Sequence, residues 1–373
     1  MNVLHVQKVA GFSGSEKHIV SLIKLLRLRG SNSRFLAIIH KNDLVKSKLF
    51  LDILKKEGIE VIIIKYNILT LFNIGHHLLK YKYDIVHTHL LHADFIMVWQ
   101  KIFLPRSFKW ISTKHGYEER FIEKHGFNYK KLTPNIYYLV CWFCERFINR
   151  SIAVSDGIRD LFVKGGISRS SKIKTIHHGF DEHTSVKSEV ISARNKYFKK
   201  QIIIVGRLVP YKGHKYAIKA FKKVLDSVPD VGLLIVGDGL MRSELEKITE
   251  NLELADKVMF LGFRKDVKQL LRMSDLFMVP SISEGFGLVI LEAFNEDVPV
   301  IAFNVPACNE IIESGVNGVL IEPFDIEKFA KETVRMLQYS DYTKQIVENA
   351  RKSIGVKFSL DNMADRVVEV YNS

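Results

Sequence analysis

Short runs of β-branched and aliphatic residues recur along this chain, and after each run apolar positions return every three to four residues. That alternation predicts parallel strands joined by amphipathic helices. In the first half the strand runs are Val3–Val6, Phe35–Ile39, Val61–Ile64, Ile85–His87, Lys109–Thr113, Ser151–Val154 and Lys174–His177. Helical spacing fills the intervals, as in Glu16–Arg29 and Lys46–Lys56. A polar segment, Asp181–Lys200, breaks the pattern and reads as a linker. Strands resume at Gln201–Val205, Gly232–Val236, Val258–Leu261, Leu276–Val279, Val300–Phe303 and Gly318–Ile321, and an amphipathic helix, Leu360–Tyr371, closes the chain. At 373 residues the chain exceeds one hydrophobic core, so two α/β domains are expected, 1–190 and 191–357. Consecutive domains of this kind are expected to hold a ligand in a cleft at the carboxyl ends of their strands.

The polar residues that follow strands carry the candidate chemistry. The most informative stretch is 284–292, Glu284-Gly285-Phe286-Gly287-Leu288-Val289-Ile290-Leu291-Glu292, which runs from a strand through a glycine turn into a helix. The first N–H groups of a helix lack internal partners and carry partial positive charge, so such a turn suits an anion. Gly285 and Gly287 let backbone approach a phosphate without a Cβ in the way. Carboxylates on either side, Glu284 and Glu292, suit hydroxyls at both ends of a ligand with a diphosphate between, as in a nucleotide-sugar. The plain alternative is a βα turn with two surface glutamates.

Gly206-Arg207-Leu208-Val209-Pro210-Tyr211-Lys212-Gly213 also follows a strand directly. Its guanidinium and ammonium, five residues apart, suit two phosphates, whereas the loop does not fit a Walker motif. Gly14-Ser15-Glu16 opens the first helix and is either an anion contact or a simple cap. His87-Thr88-His89, with His92 and Asp94, departs from metal-ligand helical spacing and reads as substrate-side polar groups at a strand end. His115-Gly116, Ser155 and His178-Gly179-Phe180-Asp181 are similar strand-end groups. Gly237-Asp238-Gly239 lacks the third glycine of a dinucleotide fingerprint.

Composition narrows the class. The chain is 47% hydrophobic and 26% charged, which is globular, and its longest strongly apolar run, Ile136–Cys144, is too short to span a membrane. The N-terminus reads as a strand rather than a signal peptide. Cys141, Cys144 and Cys308 form no disulfide framework and suit core packing in a reduced, cytoplasmic protein. Residues 1–190 hold 30 Lys+Arg against 16 Asp+Glu, whereas residues 191–373 are balanced. Basicity confined to one half points to an anionic partner there.

With these motifs in order, the chain resembles the retaining, nucleotide-sugar-dependent glycosyltransferases of family 4. The likeness rests on Gly14-Ser15-Glu16, Thr113-x-His115-Gly116, Ala153-Val154-Ser155, His178-Gly179-Phe180-Asp181, Gly206-Arg207 with Lys212-Gly213, Gly237-Asp238-Gly239, Ser283-Glu284-Gly285-Phe286-Gly287 and Glu292-Ala293. It implies the GT-B fold, two Rossmann-like domains facing a central cleft, with the last helix (about 358–373) packing back on the first domain. It also implies that Arg207 and Lys212 neutralise the donor diphosphate and that Glu284 binds sugar hydroxyls. Phe286, Gly287 and Leu288 would offer backbone N–H groups, with Gly206 beside them. Glu292 would hold the ribose, His115 would reach the sugar, and Gly14 would lie beside the diphosphate. No metal or other cofactor is implied, and the acid-free sequence around Arg207 agrees, with cations doing the metal's work. Two loops depart from the family pattern: the first has one glycine where two are usual, and Val305-Pro306-Ala307-Cys308-Asn309-Glu310 lacks the usual glycine pair.

The expected activity is transfer of a hexose-type sugar from a nucleoside diphosphate to a hydroxyl of a glycan or lipid-linked saccharide, in surface polysaccharide or lipopolysaccharide synthesis. The basic first domain suggests peripheral binding to an anionic membrane, at the inner face of the plasma membrane. The alternatives are a non-catalytic nucleotide-sugar binder or an epimerase of the same architecture. A nucleic-acid binder is disfavoured, because the basic and aromatic residues form no stacking platform.

Overall fold

The structure is a computed structural model that describes residues 1–12, 14–104, 108–180 and 197–373. Most of the expected linker (181–196), including Asp181, and Ser13 of the first glycine loop lie outside the described residues. Up to residue 180 the chain forms β1 (Asn2–Val9), α1 (Gly14–Leu28), β2 (Asn32–Ile39), α2 (Leu44–Lys56), β3 (Val61–Lys65), α3 (Thr70–Lys80), β4 (Ile85–His89), α4 (Leu90–Phe103), β5 (Lys109–Lys114), α5 (Glu119–His125), α6 (Ile136–Phe147), β6 (Arg150–Ala153), α7 (Asp156–Lys164) and β7 (Ile173–Thr175). It continues with β8 (Lys200–Val205), α8 (His214–Leu225), β9 (Val231–Val236), α9 (Arg242–Asn251), β10 (Val258–Gly262), α10 (Val267–Arg272), β11 (Leu276–Val279), α11 (Leu288–Asn295), β12 (Val300–Phe303), α12 (Cys308–Ile311) and β13 (Val319–Ile321). Three helices follow: α13 (Ile326–Gln338), α14 (Ser340–Lys357) and α15 (Leu360–Asn372). Every run expected to be a strand is one.

The chain divides into two compact units. The first comprises Met1–Glu118, Phe127–Gly179 and Leu360–Ser373, and the second Glu119–Gly126 and Phe180–Ser359. Thus α5 is built into the second unit and α15 into the first.

In the first unit seven parallel strands lie in the order β3-β2-β1-β4-β5-β6-β7. Side chains alternate across each strand, so Leu4 and Val6 face one side while Val3, His5 and Gln7 face the other. On the first side Leu4, Val6, Leu36, Val86 and Trp110 pack against Ile74 of α3, Met97 of α4 and Cys144 of α6. On the opposite side Val3, Ile85 and Ile111 pack against Leu22 of α1 and Val367, Val370 and Tyr371 of α15. The three cysteines are free and buried, as expected.

The second unit has six parallel strands in the order β10-β9-β8-β11-β12-β13. β9 is buried along its whole length, which explains its unbroken apolar run. In both sheets the order reverses beside the first strand, between β1 and β4 and between β8 and β11. In open parallel sheets ligands bind at such switch points, outside the carboxyl ends of the strands. No helix among the described residues is long and apolar enough to cross a membrane.

Candidate active site

In the second unit the switch point is formed by the loops after β8 and β11. The first carries Gly206, Arg207, Tyr211 and Lys212, and a backbone hydrogen bond from Ile282 N–H to the Tyr211 carbonyl (2.9 Å) ties it to the second. Gly213 adopts φ +70° beneath this tie, and a Cβ there would stand 1.8 Å from the Pro280 carbonyl oxygen, so only glycine fits. The tie brings Lys212 to Glu284: Nζ donates to Oε1 at 2.6 Å, and Ser281 Oγ donates to the same oxygen at 2.7 Å. Both members of the ion pair are largely buried.

Gly287 caps α11 at φ +91°, and Leu288 is its first residue. The opening N–H groups of α11 therefore start at the residues expected to offer them. Phe286 is buried and its ring stacks edge-on near Phe358, with centroids 6.0 Å apart. Glu292 stands in the second turn of α11.

Arg207 behaves differently from its sequence context. No acid lies near it along the chain, yet Glu119 of α5 reaches it at 2.8 Å, and Tyr211 Oη bonds both Arg207 and Glu119. The guanidinium is thus matched by a carboxylate delivered from far away in sequence. Reading the segment alone could not find this, because α5 leaves the first half of the chain to join the second unit. Ala307, where the usual glycine pair is lacking, still adopts φ +73°, and its N–H is held by Glu310 Oε1 at 3.1 Å.

Gly14 and His115 belong to the first unit. Gly14 opens α1, where Glu16 is buried and accepts from Gln7 Nε2 (2.5 Å) and Ser15 Oγ (3.0 Å). At this unit's switch point His5 pairs in register with His87. Of the groups read as substrate-side at a strand end, His92 is exposed, whereas His87 bonds Thr113 Oγ1 (2.7 Å) and Tyr371 Oη (2.6 Å), and Thr88 bonds Asp94. Asp94 in turn pairs with Lys114 (2.7 Å), which also pairs with Glu145 (2.9 Å). Ser155 caps α7 through Ile158 N–H.

His5, His18, His87, His89, His115 and His178 form one cluster, buried except at the partly exposed His115. Burial pushes His5 and His115 down to about 3, and burial together with neighbouring imidazoles lowers the others. One nitrogen from each of His5, His87 and His89 would fit around a metal ion. However, both nitrogens of His87 and both of His89 already have protein partners, so a cation would have to break those bonds. His5 and His18 were not recognisable as part of this site. The available signal was a polar residue, His5, in phase with Val3 on the buried face of a strand.

The family model described as Glycosyltransferase Family 4 matches residues 12–184, and the one described as Glycosyl transferases group 1 matches residues 188–353. An uncharacterized glycosyltransferase of Methanocaldococcus jannaschii is 34% identical over 230 residues, 59% of each chain. The N-acetyl-alpha-D-glucosaminyl L-malate synthase of Bacillus anthracis is 30% identical over 55% of each chain. The matched region thus spans little more than half the length of these two relatives. A UDP-Gal:alpha-D-GlcNAc-diphosphoundecaprenol alpha-1,3-galactosyltransferase of Escherichia coli is 27% identical over 78% of this chain and 76% of its own. Among solved structures, HepE of Anabaena in complex with UDP and glucose superposes with a TM-score of 0.83 at 22% identity, covering 100% of this chain and 99% of that one. That likeness establishes the shared GT-B fold. Matched along nearly its whole length by these two models in turn, the chain belongs to the family 4 glycosyltransferases.

Proposed function

We propose that this protein is a retaining glycosyltransferase that moves a hexose-type sugar from a nucleoside-diphosphate sugar to a hydroxyl of a glycan or lipid-linked acceptor. The observation that carries the reading is the Lys212–Glu284 pair, a cation and a hydroxyl-binding carboxylate joined on glycine loops at the β8/β11 switch point. The names of the relatives support it: one acts from UDP-galactose on a diphosphoundecaprenol acceptor, and one was solved with UDP and glucose. Surface polysaccharide or lipopolysaccharide synthesis is the setting these names suggest.

In the proposed step the bond from the anomeric carbon to the phosphate oxygen breaks as the acceptor oxygen bonds to that carbon on the same face. The acceptor proton passes to the departing phosphate. Lys212 and Arg207 stabilise the charge that develops on the diphosphate, which needs no metal ion in this scheme. The opening N–H groups of α11 assist them, with Gly206 leaving room for backbone approach. Glu284 accepts from sugar hydroxyls, Glu292 from the ribose, and His115 donates to a sugar oxygen. A trapped covalent glycosyl-enzyme would overturn this same-face scheme.

We further infer peripheral attachment to an anionic membrane, at the cytoplasmic face. Helices α3, α4 and α6 leave Phe72, Phe95, Phe103, Ile136 and Leu139 exposed. Their only carboxylates, Asp94 and Glu145, are buried. An outer layer that is apolar and cationic without exposed acid suits anionic headgroups over acyl chains.

The function is tested by melting the wild-type protein and the Lys212→Ala variant with UDP, GDP, ADP and their sugar conjugates. A ligand held at 100 times its dissociation constant adds about 2.7 kcal/mol of stability. One nucleotide family is expected to stabilise the wild type and to lose its effect on the variant. No response to any of them sinks the proposal.

A further inference from the structure

β7 is the outermost strand of the first sheet, three strands beyond β4 and therefore about 14 Å from the β1/β4 switch point. Beside it lies an open hollow of about 630 Å³, lined in part by α7 and α15. Cationic side chains reach it from four elements: Arg150 from the start of β6, Arg159 from α7, Lys172 and Lys174 at β7, and Arg366 from α15. Among the described residues its lining holds one carboxylate side chain, Glu369, which pairs with Lys174 at 2.7 Å.

The remaining cations have weak or neutral partners. Arg159 meets Asp160 only at 3.7 Å, with roughly a third of each side chain exposed. Arg366 donates to the Thr175 carbonyl at 2.6 Å, and Lys172 donates to the Glu145 carbonyl of α6. Arg150 makes two long contacts, 3.4 Å each, to the Asn149 carbonyl and to Ser373 Oγ. Among the described residues, Arg150, Lys172 and Arg366 pair with no carboxylate. Carbonyl tethers hold the charged heads in place without neutralising them. A guanidinium carries five N–H groups and an ammonium three, so each keeps donors to spare. Burial pushes the Lys172 ammonium down from its ordinary value, which an added counter-charge would reverse. A concave surface of one sign concentrates its field on a ligand of the other.

We propose that the hollow beside β7 is a phosphate-binding site, in which Arg150 and Arg366 grip phosphate oxygens with their planar forks and Lys172 supplies a point charge. Ligand pockets run from roughly 300 to 1,000 Å³, so this one has room for a phosphorylated small molecule. A soluble phosphomonoester and a lipid phosphate headgroup present the same group to it. The site shares no residue with the glycine loops and does not rest on the function proposed above.

Melting of the full chain with inorganic phosphate, at ionic strength held constant with sodium chloride, tests the site. Tryptophan fluorescence is the readout, because all three tryptophans lie in the first unit. Phosphate should raise the melting temperature saturably, by about 3–6 °C at about ten times its dissociation constant. The double variant Arg150→Gln with Arg366→Gln should lose the rise, and Lys212→Ala should keep it. No saturable rise in the wild type, or an equal rise in the double variant, overturns the proposal. A rise lost in Lys212→Ala also overturns it, by placing the anion at the glycine loops. If the double variant fails to fold, Arg150→Lys keeps the charge and loses the fork, and should weaken phosphate binding about threefold or more. An unchanged dissociation constant in that variant refutes the site.

Glycerol 3-phosphate and vesicles containing phosphatidic acid separate the two sources. A soluble occupant predicts that glycerol 3-phosphate acts as phosphate does, and that the double variant pellets with the vesicles as well as the wild type. Pelleting lost in the double variant, with no effect of glycerol 3-phosphate, would uphold the site and assign it to a lipid headgroup.

Discussion

The ammonium of Lys212 lies 2.6 Å from the carboxylate of Glu284, a residue 72 positions away along the chain. A cation suited to phosphate is thus held by a carboxylate suited to hydroxyls, and each limits the other until a ligand separates their tasks. Glu284→Gln removes the negative charge while keeping the shape. It is expected to tighten UDP binding three- to tenfold, about 1 kcal/mol, the scale of one charge-assisted hydrogen bond. Turnover should fall, because the sugar loses its acceptor. Calorimetry of UDP binding beside a rate assay checks both, and weaker UDP binding would show that the pair is a preformed unit rather than a competition.

Lys114 is the only cation paired with two buried carboxylates in the first unit among the described residues, and Asp94, Glu145 and Lys114 are all nearly inaccessible. Lys114→Met leaves two like charges uncompensated in the core. Breaking a buried pair from one side costs on the order of 3–5 kcal/mol. Urea unfolding should show a loss of that size, and a loss under 1 kcal/mol would mean that the carboxylates share a proton instead.

The histidine cluster predicts a dependence on acid. Folding lowers these pKa values from 6.5, so the unfolded chain binds more protons and stability rises with pH. The contribution is complete above about pH 6.5 and is lost as pH falls toward about 3. At pH 5, His5 and His115 alone account for about 2 kcal/mol each. All three tryptophans, Trp99, Trp110 and Trp142, lie in the first unit, so their fluorescence reports that unit alone. Between pH 8 and pH 5 the fluorescence melting point should drop steeply. A flat profile would count against a neutral buried cluster.

Phe72 and Phe103 are each more than two-thirds exposed. The double substitution Phe72→Ser with Phe103→Ser should leave the melting temperature within a degree or two, since exposed positions contribute little. Pelleting with vesicles rich in phosphatidylglycerol should fall severalfold. Pelleting that is unchanged, or that ignores anionic lipid content, removes this surface from consideration.

The fold was legible because fully buried parallel strands leave aliphatic runs that few other structures produce, and β9 is the clearest instance. The glycine loops were legible for a related reason: positions such as Gly213 and Gly287 have a backbone that other residues rarely adopt. Partnership was not legible. Glu119 reaches Arg207 only because α5 joins the second unit. His87 meets Tyr371 across 284 residues, and His5 meets His89 through the register of β1 against β4. Such pairings depend on strand order, which no local pattern encodes. The bonds that bury the His87-Thr88-His89 run are of this kind.

The return of α15 to the first sheet also has a bearing on synthesis. Its residues Met363, Val367, Val370 and Tyr371 cover a stripe formed by Val3, Ile85 and Ile111. A ribosome translates the whole second unit before it reaches them. At roughly 5–20 residues per second, the nascent first unit waits on the order of ten to forty seconds with that stripe bare and with His87 lacking its tyrosine partner. The earliest-made half of this chain is therefore the last to be completed, and in that interval it is a natural client for a chaperone.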